Sequence, residues 1–403
     1  MAKKTIAQVD VASKRVLTRV DFNVPLDEQG RITDDRRIRQ AMPTLQSVLK
    51  RNGKLVLMSH LGRPEGKGYE PSESLRPVAD RLRELLPSIN VMFPGNDCIG
   101  PEAAQAVQAM RDGEIVLLEN LRFHKGEKKG DPAFAAKLAD YGEIYCNDAF
   151  GTAHRNDASM FAVPKLMAGR PRVAGLLLDN ELKYLSETLQ SARRPFIAVL
   201  GGAKVSDKLG AIRNLMNKVD TILVGGAMAY TFLKALGKEV GSSLVESAML
   251  SDAASIIDSA AASKTDLVLP CDHVCGKQIS HMTPVQVFDE NIPAGWMGLD
   301  IGPKTMSLFS QKLTMAKTIV WNGPMGVFET EPFDVGTRQV AQAIAKATKG
   351  GAISIVGGGD TAAAVEAFGM ADDFSHVSTG GGASLEMLEG KKFDSVEILD
   401  DQR

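Results

Sequence analysis

Short, nearly continuous apolar runs recur along this chain, separated by longer stretches of helical periodicity. Val16 to Val20, Leu55 to Met58, Ile115 to Leu118 and Ile144 to Cys146 are such runs, as are Phe196 to Leu200, Thr221 to Val224, Ile319 to Trp321 and Ile353 to Val356. Alternation of strand and helix patterns defines βα units around a parallel sheet. Runs that are apolar throughout, instead of at every second residue, describe strands buried on both faces. The fold class expected is therefore α/β.

The tips of these runs change in chemistry near Arg194. Before it the runs open into charged tips: Asp21-Phe22-Asn23, Ser59-His60-Leu61-Gly62-Arg63, Glu119-Asn120-Leu121-Arg122 and Asn147-Asp148 onward to His154-Arg155. After it they open into glycine: Gly201-Gly202-Ala203-Lys204, Gly225-Gly226, Asn322-Gly323-Pro324 and Gly357-Gly358-Gly359-Asp360-Thr361. Ligands of parallel α/β sheets collect at the carboxyl ends of strands, where these tips fall. One half offers guanidinium groups to an anion, and the other offers bare backbone to phosphate.

Four hundred and three residues favour two or more domains. The 47 Lys and Arg nearly balance the 49 Asp and Glu, which argues against nucleic-acid or membrane-surface binding through a global basic field. No stretch is long and apolar enough for a bilayer span, so the cytoplasm is the expected location. Cys98, Cys146, Cys271 and Cys275 are too few and scattered for a disulfide framework, which fits a reducing compartment. Cys271 to Cys275 has metal-ligand spacing, but no second cluster completes a tetrahedral site. These are read as ordinary thiols. A helix over Asp179 to Arg194, with Leu182, Leu185 and Leu189 on one face and Pro195 as its stop, is expected to join two domains. The expected division is 1–178, the joining helix 179–194, a second domain 195–382, and a tail 383–403 that docks back toward the first. Phe393, Val396, Ile398 and Leu399 supply the tail's apolar surface.

Each constellation has a plainer alternative. Gly357 to Thr361 precedes a good helix start, so its N–H groups and the helix terminus suit phosphate, with Asp360 placed for a divalent cation. A capped βα turn would look the same, but Thr379 to Ser384 repeats the device within thirty residues. Lys204 and Lys208 have the spacing of one helical face; they suit phosphoryl groups or are simply solvated. Arg37, expected in a loop, joins Arg63, Arg122 and Arg155, which lie at strand ends. Alone each is a surface arginine; together, beside His60, Asp21 and Asn23, they suit a small, highly anionic substrate. Walker, G-x-G-x-x-G, nucleophile-elbow and HExxH patterns are absent, as is the protein-kinase catalytic loop.

These strings resemble the phosphoglycerate kinase family. The likeness rests on Arg19 to Pro25, Arg37-Ile38, Ser59 to Pro64, Glu119 to Phe123, Asn147 to Arg155, Leu200 to Lys208, Trp321 to Glu329, Gly357 to Thr361 and Thr379 to Ala383, in the family's order. Asn156-Asp157 is a departure from its pattern. The resemblance implies two similar doubly wound parallel-sheet, Rossmann-like domains facing a central cleft, in a monomer. It implies reversible phosphoryl transfer between the acyl phosphate of 1,3-bisphosphoglycerate and ADP, giving 3-phosphoglycerate and ATP, with Mg²⁺ as cofactor.

By the same resemblance, Asp21, Asn23, Arg37, His60, Leu61, Gly62, Arg63, Arg122 and Arg155 would hold 3-phosphoglycerate. Gly201, Ala203, Lys208, Gly225, Asn322, Pro324, Glu329, Gly358, Gly359, Asp360 and Thr361 would hold the nucleotide, with Asp360 on the metal. Arg37, Lys204, Gly359, Gly381 and Gly382 would surround the transferred phosphoryl group. The acceptor is a carboxylate, ionised at neutral pH with a pKa of ~3.5, so no general base is needed. Two rival readings are an NAD-dependent oxidoreductase, against which the missing dinucleotide fingerprint counts, and an inactive binding protein, which would be expected to have lost Arg37 or Lys204.

Overall fold

In a computed structural model, residues 2–187 and 191–402 are described. The chain divides into two compact units, residues 1–182 with 392–403, and residues 183–391.

The first unit holds a six-stranded, all-parallel sheet in the order β3-β4-β2-β1-β5-β6, where β1 is Arg15–Val20, β2 Lys54–Met58, β3 Val91–Met92, β4 Ile115–Leu117, β5 Ile144–Asp148 and β6 Arg172–Ala174. The chain winds outward from β1 through β2 and returns to β1's other side at β5. That reversal makes β1 and β5 a topological switch point, where such sheets bind ligands. Asn147 and Asp148, expected in a tip, complete β5 opposite Arg19 and Val20.

Helix Arg36–Leu49 covers one face because Ile38, Ala41, Leu45 and Val48 recur at helical spacing and are buried. Each large aliphatic side chain so buried contributes ~1.5–3 kcal/mol. Arg37 therefore sits in the first turn of a helix, not in a loop.

The second unit holds another six-stranded sheet with a different strand order, β15-β14-β13-β7-β8-β9. Here β7 is Phe196–Leu200, β8 Thr221–Val224, β9 Asp266–Val268, β13 Thr318–Asn322, β14 Ile353–Gly357 and β15 His376–Val377, again all parallel. Its switch point lies between β7 and β13. A small antiparallel sheet of β10 (His273–Gly276), β11 (Gln286–Phe288) and β12 (Met297–Ile301) was not expected. It places Cys275 in its strands, buried, while Cys271 is exposed.

The expected joining helix is corrected. It starts at Leu176, because the buried Asp148 carboxylate accepts from the N–H groups of Leu177 (3.0 Å) and Leu178 (3.2 Å). Asp179 follows in the first turn, so the cap comes from a strand thirty residues away in sequence and no local signal announces it. The helix runs to Leu182 and continues as a π-helical turn over Lys183–Glu187. Leu189 lies outside the described residues. Arg193 and Arg194 do not finish a helix: Arg193 donates to the Gly351 carbonyl (2.7 Å), and Arg194 pairs with Asp220.

At the far end, residues 392–403 belong to the first unit, and 383–391 to the second. Lys3 donates to the carbonyls of Glu397 and Leu399 and pairs with Asp401 at 2.8 Å; Arg172 pairs with Asp400. Asn156, where the sequence departs from the family's pattern, donates to Asp394 at 3.0 Å and so helps seat the tail.

Candidate functional site

In the first unit, the sequence-derived residues after β1, β2, β4 and β5 meet through a rigid scaffold. Asn120 carries much of it, donating to the carbonyls of Leu61 and Glu73 (both 2.8 Å) and accepting from the Arg122 N–H at 3.0 Å. Asn23 accepts from the Gly62 N–H at 2.8 Å, which ties the β1 tip to the β2 tip. Gly62 has φ +57°, a left-handed conformation that favours glycine, and a Cβ there would have to displace the Glu73 carboxylate. Leu61 is buried beneath this turn.

On that scaffold Arg37 donates to Asp21 at 2.6 Å, and Asp21 lies 3.8 Å from His60 Nδ1. Burial pushes the Asp21 carboxyl up, but the Arg37 guanidinium, helped by Arg19, holds it below the ordinary range. Arg122 is 7% exposed, donates to the Gly62 carbonyl at 2.8 Å, and leaves its Nε buried without a partner among the described residues. Burial, then the nearby charge of Arg155, lowers its pKa. Arg155 and Arg19 repel Arg122 here, against the opposing pull of Asp157 and Glu127. Such an arrangement stores repulsion that an anionic ligand relieves. Arg63 follows on the same loop with its side chain exposed.

Sequence reasoning gave Arg19 no role, yet it is fully buried and bonds His60. The available signal was an arginine inside a strand pattern otherwise buried on both faces, which must be paired to be tolerated.

The second unit builds with backbone. The tips of β7 and β13 clasp one another: the Gly201 N–H donates to the Asn322 carbonyl and the Gly202 N–H to that of Pro324, both at 3.0 Å. A Cβ on Gly201 would meet the carbonyl oxygens of Pro324 and Gly323. Gly225 is pressed against Met325. These glycines are therefore required by loop packing. Gly359 differs, since nothing lies within 4 Å of a Cβ built there, and Gly381, with φ +36°, is equally open. Gly359 starts helix Gly359–Ala367 and Gly381 starts helix Gly381–Leu388, with Gly382 as its second residue. Both first turns leave N–H groups accessible to an anion.

Lys208 is half-buried and donates to the Asn322 side chain; burial lowers its pKa, while Asp207, Asp360 and Glu389 raise it. The structure thus brings Lys208, Asn322 and Asp360 within electrostatic reach. Asp360 itself is exposed in the helix's first turn, and the buried Thr361 hydroxyl accepts from the Gly323 N–H at 2.7 Å. Lys204 and Lys208 do not share a helical face, because the helix begins only at Leu209. Lys204 and Ala203 are exposed, and Glu329 is exposed on a separate turn with no bond to these groups.

A depression of about 820 Å³ in the first unit, lined by Arg31, Asp35, Tyr69, Arg76, Arg81 and others, includes none of these residues. Arg31 and Arg81 in its lining are already paired with Asp27 and Asp35.

The fold and the two residue sets define a class: a two-unit α/β protein with a guanidinium-rich anion site at one switch point and glycine-opened helix termini near the other. Comparison with known proteins narrows it. The profile of the family described as "Phosphoglycerate kinase" matches residues 6–391. Proteins named phosphoglycerate kinase from Rhodopirellula baltica and Chlorobium phaeobacteroides are 54% and 53% identical, over 100% of both chains in each case. The structure of phosphoglycerate kinase from Coxiella burnetii is 39% identical, covers 98% of each chain and superposes with a TM-score of 0.88. That from Pyrococcus horikoshii is 29% identical with a TM-score of 0.84 and the same coverage. The chain belongs to the phosphoglycerate kinase family.

Proposed function

We infer that this chain carries out the family's reaction, moving a phosphoryl group between the acyl phosphate of 1,3-bisphosphoglycerate and ADP to give 3-phosphoglycerate and ATP. The observation that carries this reading is the gathered guanidinium group, above all Arg122 with its buried, unpartnered Nε. An oxidoreductase has no support in the family match, and both Arg37 and Lys204 are present, which an inactive relative would be expected to have lost.

In this reading Asp21, Asn23, Arg37, His60, Leu61, Gly62, Arg63, Arg122 and Arg155 hold the sugar acid. Lys208, Asn322 and the first turn of helix Gly359–Ala367 hold the nucleotide phosphates, with Gly201, Ala203, Gly225, Pro324, Glu329 and Thr361 completing that side. The P–O bond to the acyl oxygen breaks as a bond to an ADP β-phosphate oxygen forms. The departing carboxylate is stable as an anion, so no proton moves and no general base is required. Arg37, Lys204 and the N–H groups at Gly359, Gly381 and Gly382 stabilise the charge spread over the transferring group, the dominant need of a loose phosphoryl transfer.

Asp360 fits Mg²⁺, being an exposed carboxylate beside a phosphate-suited helix terminus. Bound with the nucleotide, the ion would neutralise phosphate charge. We also place the protein in the cytoplasm, which its four free thiols support, and read it as a monomer. No helix among the described residues is long and apolar enough to cross a membrane. A coupled assay with ATP, Mg²⁺ and 3-phosphoglycerate tests the reaction. Turnover should require all three, and turnover without the sugar acid would overturn it.

A further inference from the structure

Arg19 lies in β1 with no exposure, and all three of its guanidinium nitrogens are used. Nε donates to Ser159 Oγ at 2.9 Å, one terminal nitrogen donates to the Val20 carbonyl, and the other lies 3.0 Å from His60 Nδ1. A guanidinium has donors only and stays protonated. Across that contact Nδ1 must therefore present its lone pair, which leaves the hydrogen of a neutral ring on Nε2.

Resting on the functional reading above, we propose that Arg19 is a positioning residue that locks His60 as the Nε2–H tautomer, so that the ring offers the sugar acid one N–H donor and no acceptor.

Two other states compete and lose. An Nδ1–H ring could turn toward Asp21, but that oxygen is 3.8 Å away, the carboxylate already holds Arg37 at 2.6 Å, and the hydrogen would face Arg19's own N–H. An imidazolium is opposed first by burial of the ring and then by Arg19, Arg122 and Arg155; only Asp21 favours it, and the pKa falls well below 6.5. No described group hydrogen-bonds Nε2.

Arg19 is itself held from behind. Ser159 donates through its hydroxyl (2.5 Å) and its N–H (3.0 Å) to Glu127, which is fully buried in the short helix Lys125–Lys129. Glu127, Ser159, Arg19 and His60 thus form one chain of bonds from a buried carboxylate to the site. A donor-only ring suits a carboxylate or other acceptor oxygen. It is also unfit to take a proton, in keeping with a transfer that needs no base.

The direct test is long-range ¹H–¹⁵N correlation on the protein labelled at histidine nitrogens, with His60 assigned by the spectrum of His60→Gln. Between pH 6 and 8 His60 should show an unprotonated Nδ1 and a protonated Nε2. A protonated Nδ1, an imidazolium or averaging between tautomers would overturn the proposal, whatever any variant does. Arg19→Lys keeps the charge but loses the fork; it should bring tautomer averaging and weaken 3-phosphoglycerate binding about tenfold with ADP unchanged, and the averaging is a change that mere loosening of the fold would not single out. A locked tautomer in Arg19→Lys would also sink the proposal. If the unaltered protein shows the locked tautomer yet binds no 3-phosphoglycerate, the functional reading fails while the lock stands.

Discussion

Both units carry a six-stranded, all-parallel sheet with its switch point beside the first strand, but they differ in strand order and in what they place at that point. The first raises charged side chains, several of them buried, on a lattice of hydrogen bonds from Asn120, Asn23 and Gly62. The second clears side chains away, leaving packed glycines at Gly201 and Gly225 and open ones at Gly359 and Gly381. On the proposed assignment of ligands, the difference follows from their chemistry. A compact, multiply charged acid is best gripped by guanidinium forks converging from several loops. A phosphate chain is well served by backbone N–H groups at helix termini, provided no Cβ intervenes.

This contrast makes predictions of decreasing size for catalysis. The largest effect is expected at Arg37, assigned to the transferred group instead of to binding alone. Arg37→Ala should lower kcat by roughly a hundredfold or more while both affinities stay within a few-fold, as steady-state kinetics with each substrate varied would reveal. Normal kcat would remove Arg37 from the machinery.

Next comes the lone carboxylate of the glycine-built site. Asp360→Asn should weaken Mg·ADP binding about tenfold, the size of one charge-assisted contact, and raise the Mg²⁺ needed for turnover. Titrating ADP with and without metal separates the cases, since equal losses would make Asp360 only a helix cap.

The glycines should then split into two kinds. Gly201→Ala drives a Cβ into the Pro324 and Gly323 carbonyls and should cost ~1–3 kcal/mol of stability in urea denaturation. Gly359→Ala meets nothing within 4 Å, so stability should hold while ADP affinity falls a few-fold. The reverse pattern would show that the two glycines were assigned the wrong way round.

The smallest catalytic effect, none near neutral pH, is expected at Asp148. Burial raises this carboxyl to about 6, above its unfolded value, so its contribution to stability is full below the unfolded pKa and lost as pH rises through about 6. Asp21, held low, contributes in the opposite sense: present above its unfolded pKa and lost as pH falls. Asp148→Asn should flatten the loss of stability between pH 4 and 6, measured by thermal melts across that range. An unchanged slope would mean that Asp148 does not cause it.

Much of this was legible in the sequence because continuous apolar runs and their tips are local signals. Strands β1, β2, β4, β5, β7, β8, β13 and β14 fall on the runs that composition and spacing picked out, within two residues at each end. What escaped was non-local. Arg37 looks like a loop residue until Ile38, Ala41 and Leu45 find a sheet face to bury against. The cap on Leu177 comes from Asp148 on another element, so the start of that helix could not be placed from its own sequence. The lysine spacing suggested a shared helical face, but the helix begins at Leu209, just after Lys208 and a further turn beyond Lys204. Glycine runs announce open backbone, yet only the packed structure separates Gly201, held by a neighbouring loop, from Gly359, which faces space. Arg19 was hidden by its strand, its purpose visible only beside His60.

Separate residue sets grip the two ligands in this account, charged side chains in one unit and backbone with Lys208 in the other. Calorimetric titration of Arg122→Ala with 3-phosphoglycerate and, separately, with ADP tests that division most directly. The expected result is a tenfold or greater loss for the sugar acid, the scale of a lost hydrogen bond to a charged group, with ADP affinity unchanged. Equal losses for both ligands would contradict the division.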